Sequence, residues 1–146
     1  MVRYADDIVA GFQREEEANA FLQEVDERLK QFGLTLHPEK SRLIEFGRHA
    51  AARRKAAGQG KPETFNFLGF THIASKTRHG RFTIRRKSIG KRLRSKLQEI
   101  KSELRRRFRE PVPETGRWLR RVLQGYYQYF AVPYNFGALS QFRYEL

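Results

Sequence analysis

Val2-Arg3-Tyr4-Ala5-Asp6-Asp7-Ile8-Val9-Ala10-Gly11-Phe12 is the stretch that decides how the rest of the chain is read. Two short apolar segments flank an acidic pair, the pattern of a β-hairpin with carboxylates at its tip. Neighbouring carboxylates on a tight turn repel each other unless a cation joins them. A divalent ion with hard oxygen ligands, Mg2+ first, is the usual solution. In nucleotidyl transfer two such ions activate the attacking 3′ hydroxyl and neutralise the departing pyrophosphate. A hydrated acidic turn is the plainer alternative, and Asp-Asp alone does not decide between the two.

Downstream, the spacing predicts a helix over residues 14–32. Glu15, Glu16 and Glu17 stand in its first turn, where they meet the positive end of the helix dipole, and Phe21, Leu22, Val25, Leu29 and Phe32 form one apolar face. Gly33 is its candidate C-cap. Leu34-Thr35-Leu36 and Leu43-Ile44-Glu45-Phe46 read as short strands around a turn at 37–41, and residues 48–63 read as a basic loop of low order. Phe65-Asn66-Phe67-Leu68-Gly69-Phe70 reads as a strand, with Phe82-Thr83-Ile84 closing a hairpin across Arg78-His79-Gly80.

From Ser88 the character turns helical. Ile89, Leu93, Leu97, Ile100, Leu104 and Phe108 recur at helical spacing, Ser88 is placed to cap the start, and Pro111 and Pro113 end the run. A second helix is expected over about 114–130, with Trp118, Leu119, Val122, Leu123 and Tyr126 inward, and the beginning of a third over 138–146. The tyrosines Tyr126, Tyr127, Tyr129 and Tyr134 are able to stack bases, but aromatics this dense on a helix are more often core.

The 146 residues carry a net charge of +14, and the charge is unevenly spread. Residues 1–47 hold 6 Lys and Arg against 10 Asp and Glu; residues 48–146 hold 24 against 6. That much positive charge in one part calls for an anionic partner, nucleic acid by default. A membrane partner is disfavoured, since no stretch of about 18 apolar residues exists. Cysteine is absent, which excludes disulfides and thiolate metal sites, and His37, His49, His72 and His79 lack zinc-site spacing.

Four blocks, in order, resemble reverse transcriptases of the group II intron-encoded type. Tyr4-Ala5-Asp6-Asp7 looks like the catalytic motif. Leu34-Thr35-Leu36-His37-Pro38-Glu39-Lys40-Ser41 is similar to the palm motif that follows it. Phe65 to Phe70 resembles the segment holding the primer end. Gly125-Tyr126-Tyr127-Gln128-Tyr129-Phe130, followed by Pro133 and Asn135, resembles the thumb or maturase region.

The resemblance implies an α+β architecture, with a partial antiparallel palm sheet and one helix over 1–86 and a helical thumb or maturase region, truncated, over 87–146. It implies Asp6 as a Mg2+ ligand with Asp7 supporting the metal site, and Tyr4 and Ala5 near nucleotide or primer. It also implies Lys40 as a general acid toward pyrophosphate, and Phe67, Leu68 and Gly69 as the primer contact. A surface lysine is the other reading of Lys40. Arg85, Arg86, Lys87, Lys91, Arg92, Arg94, Lys96, Lys101, Arg105 and Arg106 become the surface for intron RNA or template–primer duplex.

The family's site also uses an aspartate from an earlier palm strand. The only other Asp here is Asp26, in the first helix among Glu24 and Glu27. The expectation is therefore a two-metal site incomplete in this chain, no polymerase activity from it alone, and a partner carrying the fingers and remaining palm. Its partial palm is expected to expose apolar surface along the first strand. The alternative is a stand-alone basic RNA-binding module that assists splicing without polymerase chemistry. The expected location is the cytoplasm, with nucleoid or organelle also compatible.

Overall fold

A computed structural model describes residues 1–146 and shows an α+β chain. It divides into two compact units, Met1–Glu45 and Phe46–Leu146. The sequence-based change of character at 86/87 falls within the second unit, because the strands before it and the helices after it share one interior.

In the first unit, β1 (Val2–Tyr4) and β2 (Asp7–Val9) pair antiparallel with Val2 opposite Val9, Arg3 opposite Ile8 and Tyr4 opposite Asp7. Every residue of β1 is exposed, as expected for a strand with one ladder partner. Helix α1 (Glu15–Lys30) follows, with the three glutamates in its first turn. Its end is a Schellman closure: the Leu34 amide donates to the Leu29 carbonyl and the Gly33 amide to Lys30. Gly33 holds φ +68°, which only glycine adopts without cost. Leu34 is thereby bound into the helix terminus, and neither 34–36 nor 43–46 forms the predicted strand. Two or three apolar residues do not make a strand without a ladder to join.

The second unit begins with a departure from expectation. Residues 50–56 of the supposed loop form helix α2 (Ala50–Ala56). Ala50, Ala51, Ala52 and Ala56 have the highest helix propensity, and Ala50 is fully buried. The α1 ending recurs here, with Gln59 donating to Arg54 and Gly58 to Lys55.

A three-stranded antiparallel sheet follows in the order β3 (Thr64–Phe67), β4 (Phe70–Lys76), β5 (Phe82–Ser88). Residues 65–70 are therefore not one strand but the tip of a hairpin. Leu68 (φ +47°) and Gly69 (φ +81°) make the two-residue turn, and positive φ at both positions is the type I′ arrangement that suits the twist of paired strands. Phe70 lies opposite Ser88, and His72 opposite Arg86.

Helices α3 (Gly90–Arg106), α4 (Val112–Phe130) and α5 (Phe136–Glu145) complete the unit. Leu93, Leu97 and Ile100 of α3, Tyr126 of α4, and Ala138 and Phe142 of α5 form the buried core. Tyr126 stacks on Phe142 at 3.8 Å between ring centroids, and Trp118 packs at the core's margin. Pro113 stands inside the first turn of α4, where its missing amide costs nothing.

Sheet and helices are joined by one clasp. Asn135 is 1% exposed; its Oδ1 accepts the Ser88 amide, and its Nδ2 donates to Ser88 Oγ and to the Phe130 carbonyl, all at 2.8 Å. Ser88 therefore does not cap α3, whose N-cap is Ile89 with no side-chain bond. Beside the clasp, Phe70 stacks against Tyr129 at 5.8 Å and tilts against Phe130 at 5.2 Å. Replacing Asn135 with alanine leaves the buried Ser88 amide without its acceptor. Chemical denaturation of N135A is expected to show a loss of roughly 2–3 kcal/mol. A change below roughly 0.5 kcal/mol would contradict the clasp.

Candidate nucleic-acid interface

The acidic hairpin places Asp6 in its two-residue turn and Asp7 at the first position of β2, opposite Tyr4. Ala5 carries φ +51°, a conformation usually left to glycine. The Ala5 carbonyl accepts a bond from Arg3 Nε at 3.0 Å, which helps hold the strained turn. Asp6 and Asp7 are exposed, and Tyr4 is 65% exposed. Two adjacent carboxylates fit part of a Mg2+ ligand set, since that ion keeps several waters and takes one or two carboxylates beside substrate phosphates. No group of three or more His, Cys, Asp or Glu side chains comes together. Asp26 is on α1, bonded to Lys30 at 2.6 Å. Lys40 lies in the turn 37–41, where the Lys40 and Ser41 amides both donate to the His37 carbonyl.

Phe67, Leu68 and Gly69 meet at the β3–β4 turn of the second unit. This turn is anchored from behind: Tyr129 Oη donates to the Leu68 carbonyl at 2.8 Å, and the Ile89 amide donates to the Gly69 carbonyl at 3.1 Å. A Cβ on Gly69 would stand 3.6 Å from the Phe130 ring and from an Arg92 guanidinium nitrogen, ordinary contact distances. Glycine is required here by the backbone angle more than by space.

The predicted cations on α3 separate into two flanks. At about 100° per residue, Lys91, Arg94, Lys101 and Arg105 fall along one side of the buried Leu93–Leu97–Ile100 stripe. The helix's acids, Glu99 and Glu103, fall on the other side with Arg92, Lys96 and Arg106. There Lys96 bonds Glu99 at 2.7 Å, and Arg106 and Arg107 both bond Glu103 at 2.7 Å. The hydrogen bond from Arg106, then that from Arg107, holds the Glu103 carboxyl below its ordinary range. Positive charge on this acidic flank is partly spent on neighbours. The Lys91–Arg105 flank faces no acid of its own helix.

The sequence reading missed further cations. Arg117, Arg120 and Arg121 are exposed on α4, and Arg120 borders an open groove of about 480 Å³ with Gly116, Leu119, Leu123 and Gln124. Lys76, Arg78 and Arg81 surround the β4–β5 turn. The signal available was the excess of basic over acidic residues throughout 48–146, beyond the clusters singled out. No helix is long and apolar enough to cross a membrane.

Residues 1–72 match a family model described as reverse transcriptase (RNA-dependent DNA polymerase). The match spans just under half of the chain. The match takes in the acidic hairpin, α1, the turn 37–41 and the β3–β4 turn, and ends at His72 within β4. No curated protein and no solved structure matches the chain.

His72 sits on the sheet face with Phe65, stacked on it at 4.8 Å and 5° between planes, and Phe46 meets Phe65 edge-on at 5.0 Å. Burial lowers the His72 pKa below its ordinary 6.5, partly offset by backbone bonding to Phe70, while Arg86 opposite pushes it down further. The unfolded chain therefore takes up the proton first as pH falls. Stability from neutral His72 is full above about pH 6.5 and declines below it until the folded-state pKa is passed. Thermal melts from pH 7.5 to 5 should show a smaller decline for His72→Phe, which keeps the ring stack. An unchanged slope in that variant would assign the pH dependence elsewhere.

Proposed function

We propose that this protein is a palm-and-thumb part of a group II intron-type reverse transcriptase or maturase, binding intron RNA or a template–primer duplex. The observation that carries it is the union in one chain of a match to the reverse transcriptase family over 1–72 with a helix whose Lys91–Arg105 flank is purely cationic. The Gly125–Phe130 block with Pro133 and Asn135 supports the intron-encoded branch through its resemblance to the maturase region. Asp6 and Asp7 would contribute to a Mg2+ ligand set completed by a carboxylate of a partner carrying further palm and fingers. The bound ion would offset the charge developing on departing pyrophosphate. Lys40 would serve as proton donor, and Tyr4, Ala5, Phe67, Leu68 and Gly69 would line the nucleotide and primer positions.

A second reading is an RNA-binding module that assists splicing without polymerase chemistry, since the cationic flank of α3 needs no metal site to hold a phosphate backbone. The two readings share the RNA surface and differ only in whether a partner restores nucleotide addition.

The test is binding to a structured intron RNA and to duplex DNA of equal length across a salt series. Preference for the RNA that survives moderate salt is expected. Arg94→Ala with Arg105→Ala should lower the salt slope by about 1 per cation removed, whereas Lys96→Ala with Arg106→Ala should change it much less. Equal, steeply salt-dependent binding to both nucleic acids, indifferent to which pair is removed, would reduce the protein to a generic polycation.

A further inference from the structure

We propose that Tyr134 and Arg85 form a stacking platform for an unpaired base of single-stranded RNA. The proposal rests on the RNA-binding reading and adds a site to it. Tyr134 stands in the α4–α5 connection with φ +70°, a backbone conformation costly for a bulky side chain. Its burial does not compensate, since the residue remains 51% exposed. The Arg85 guanidinium lies over the ring, with Cζ 5.5 Å from the centroid. An exposed cation–π contact returns about as much as the φ costs, so this pair alone gives tyrosine no advantage over glycine.

The strain persists because the next residue is fixed. Asn135 is buried and held to Ser88 and Phe130 by three side-chain bonds, so the loop has little freedom to relax. Strand β5 supplies the other half of the platform. Arg85 and Lys87 are two residues apart, both exposed, and therefore share one face of the strand. An aromatic ring under one guanidinium, with a second cation two residues further along the same strand face, is the composition that binds single strands, the ring taking a base and the cations its flanking phosphates. The ring and the guanidinium plane are both able to extend a base stack. Both halves are anchored by the same clasp, so the platform is preformed.

The test is fluorescence anisotropy with a labelled oligouridine of about 12 nucleotides, a length suited to single-strand grooves. It is compared with the same strand carrying abasic sites at its centre. The wild-type protein should bind the base-bearing strand about tenfold more tightly than the abasic one, within the range one base–aromatic stack confers. Tyr134→Phe should keep that preference. Tyr134→Gly relieves the backbone strain and should fold at least as well, yet lose the preference and bind both strands like the abasic one. Equal binding of both strands by the wild type, or a preference retained in Tyr134→Gly, would overturn the platform while leaving the cationic surface intact. Failure of the wild type to bind any RNA would overturn the functional reading and the platform together.

Discussion

The second unit depends on the Asn135 clasp. A strand end and a helix connection each leave backbone groups unpaired, and burying them without partners costs more than the packing of a few side chains returns. Asn135 meets both needs with one amide, accepting from the Ser88 backbone and donating to Ser88 Oγ and the Phe130 carbonyl. Aspartate has the same size but no N–H donors, so it would bury a charge and lose two of the three bonds. Once the clasp is closed, Phe70 lies against Tyr129 and Phe130, and Tyr129 reaches the Leu68 carbonyl. The β3–β4 turn is thus positioned by the end of α4, through contacts between residues some sixty positions apart.

This arrangement bears on how the surface works. Leu93, Leu97 and Ile100 face the interior, which fixes the rotation of α3 and hence the direction of each of its flanks. The Lys91–Arg105 flank keeps its charge available, whereas Glu99 and Glu103 partly neutralise the other. A flexible polycation would bind any polyanion by counterion release alone. Cations fixed on a packed helix, beside an anchored turn and an anchored aromatic loop, present a shape as well as a charge.

Much of this was legible in the sequence, and the exceptions have physical reasons. The hairpin at Asp6-Asp7 and helix α1 with its Gly33 ending follow from pattern and cap, and the three later helices from periodicity alone, since Ser88 does not cap α3. The strands expected at 34–36 and 43–46 are absent because local alternation cannot supply a ladder partner, and Leu34 is taken by the α1 terminus. Helix α2 was hidden by its basic residues, although its alanines carried the helical signal. Residues 65–70 read as one strand because Leu68 is not a residue usually found at positive φ, so the turn had only Gly69 to announce it. Tyr126 lies in the core as its spacing indicated, whereas Trp118, expected inward, is only half-buried at the margin. Tyr129 and Tyr134 are exposed against the expectation for a dense aromatic run. The Asn135 clasp was invisible, since nothing local to Asn135 or Ser88 marks a bond across 47 positions. In the candidate site, the Asp6-Asp7 hairpin was readable from its flanking apolar segments, whereas the β3–β4 turn was taken for strand and the division of α3 into flanks required knowing which face is buried.

Amide hydrogen exchange on the intact protein, resolved at single residues, tests the central claim most directly. If the clasp fixes the interface surface, the Ser88 amide exchanges as slowly as those of Leu97 and Ile100 in the core helix, and far more slowly than those of the β1–β2 hairpin. If the Ser88 amide exchanges as fast as that hairpin while α3 stays protected, sheet and helices are not locked together. The preformed surface would then not exist.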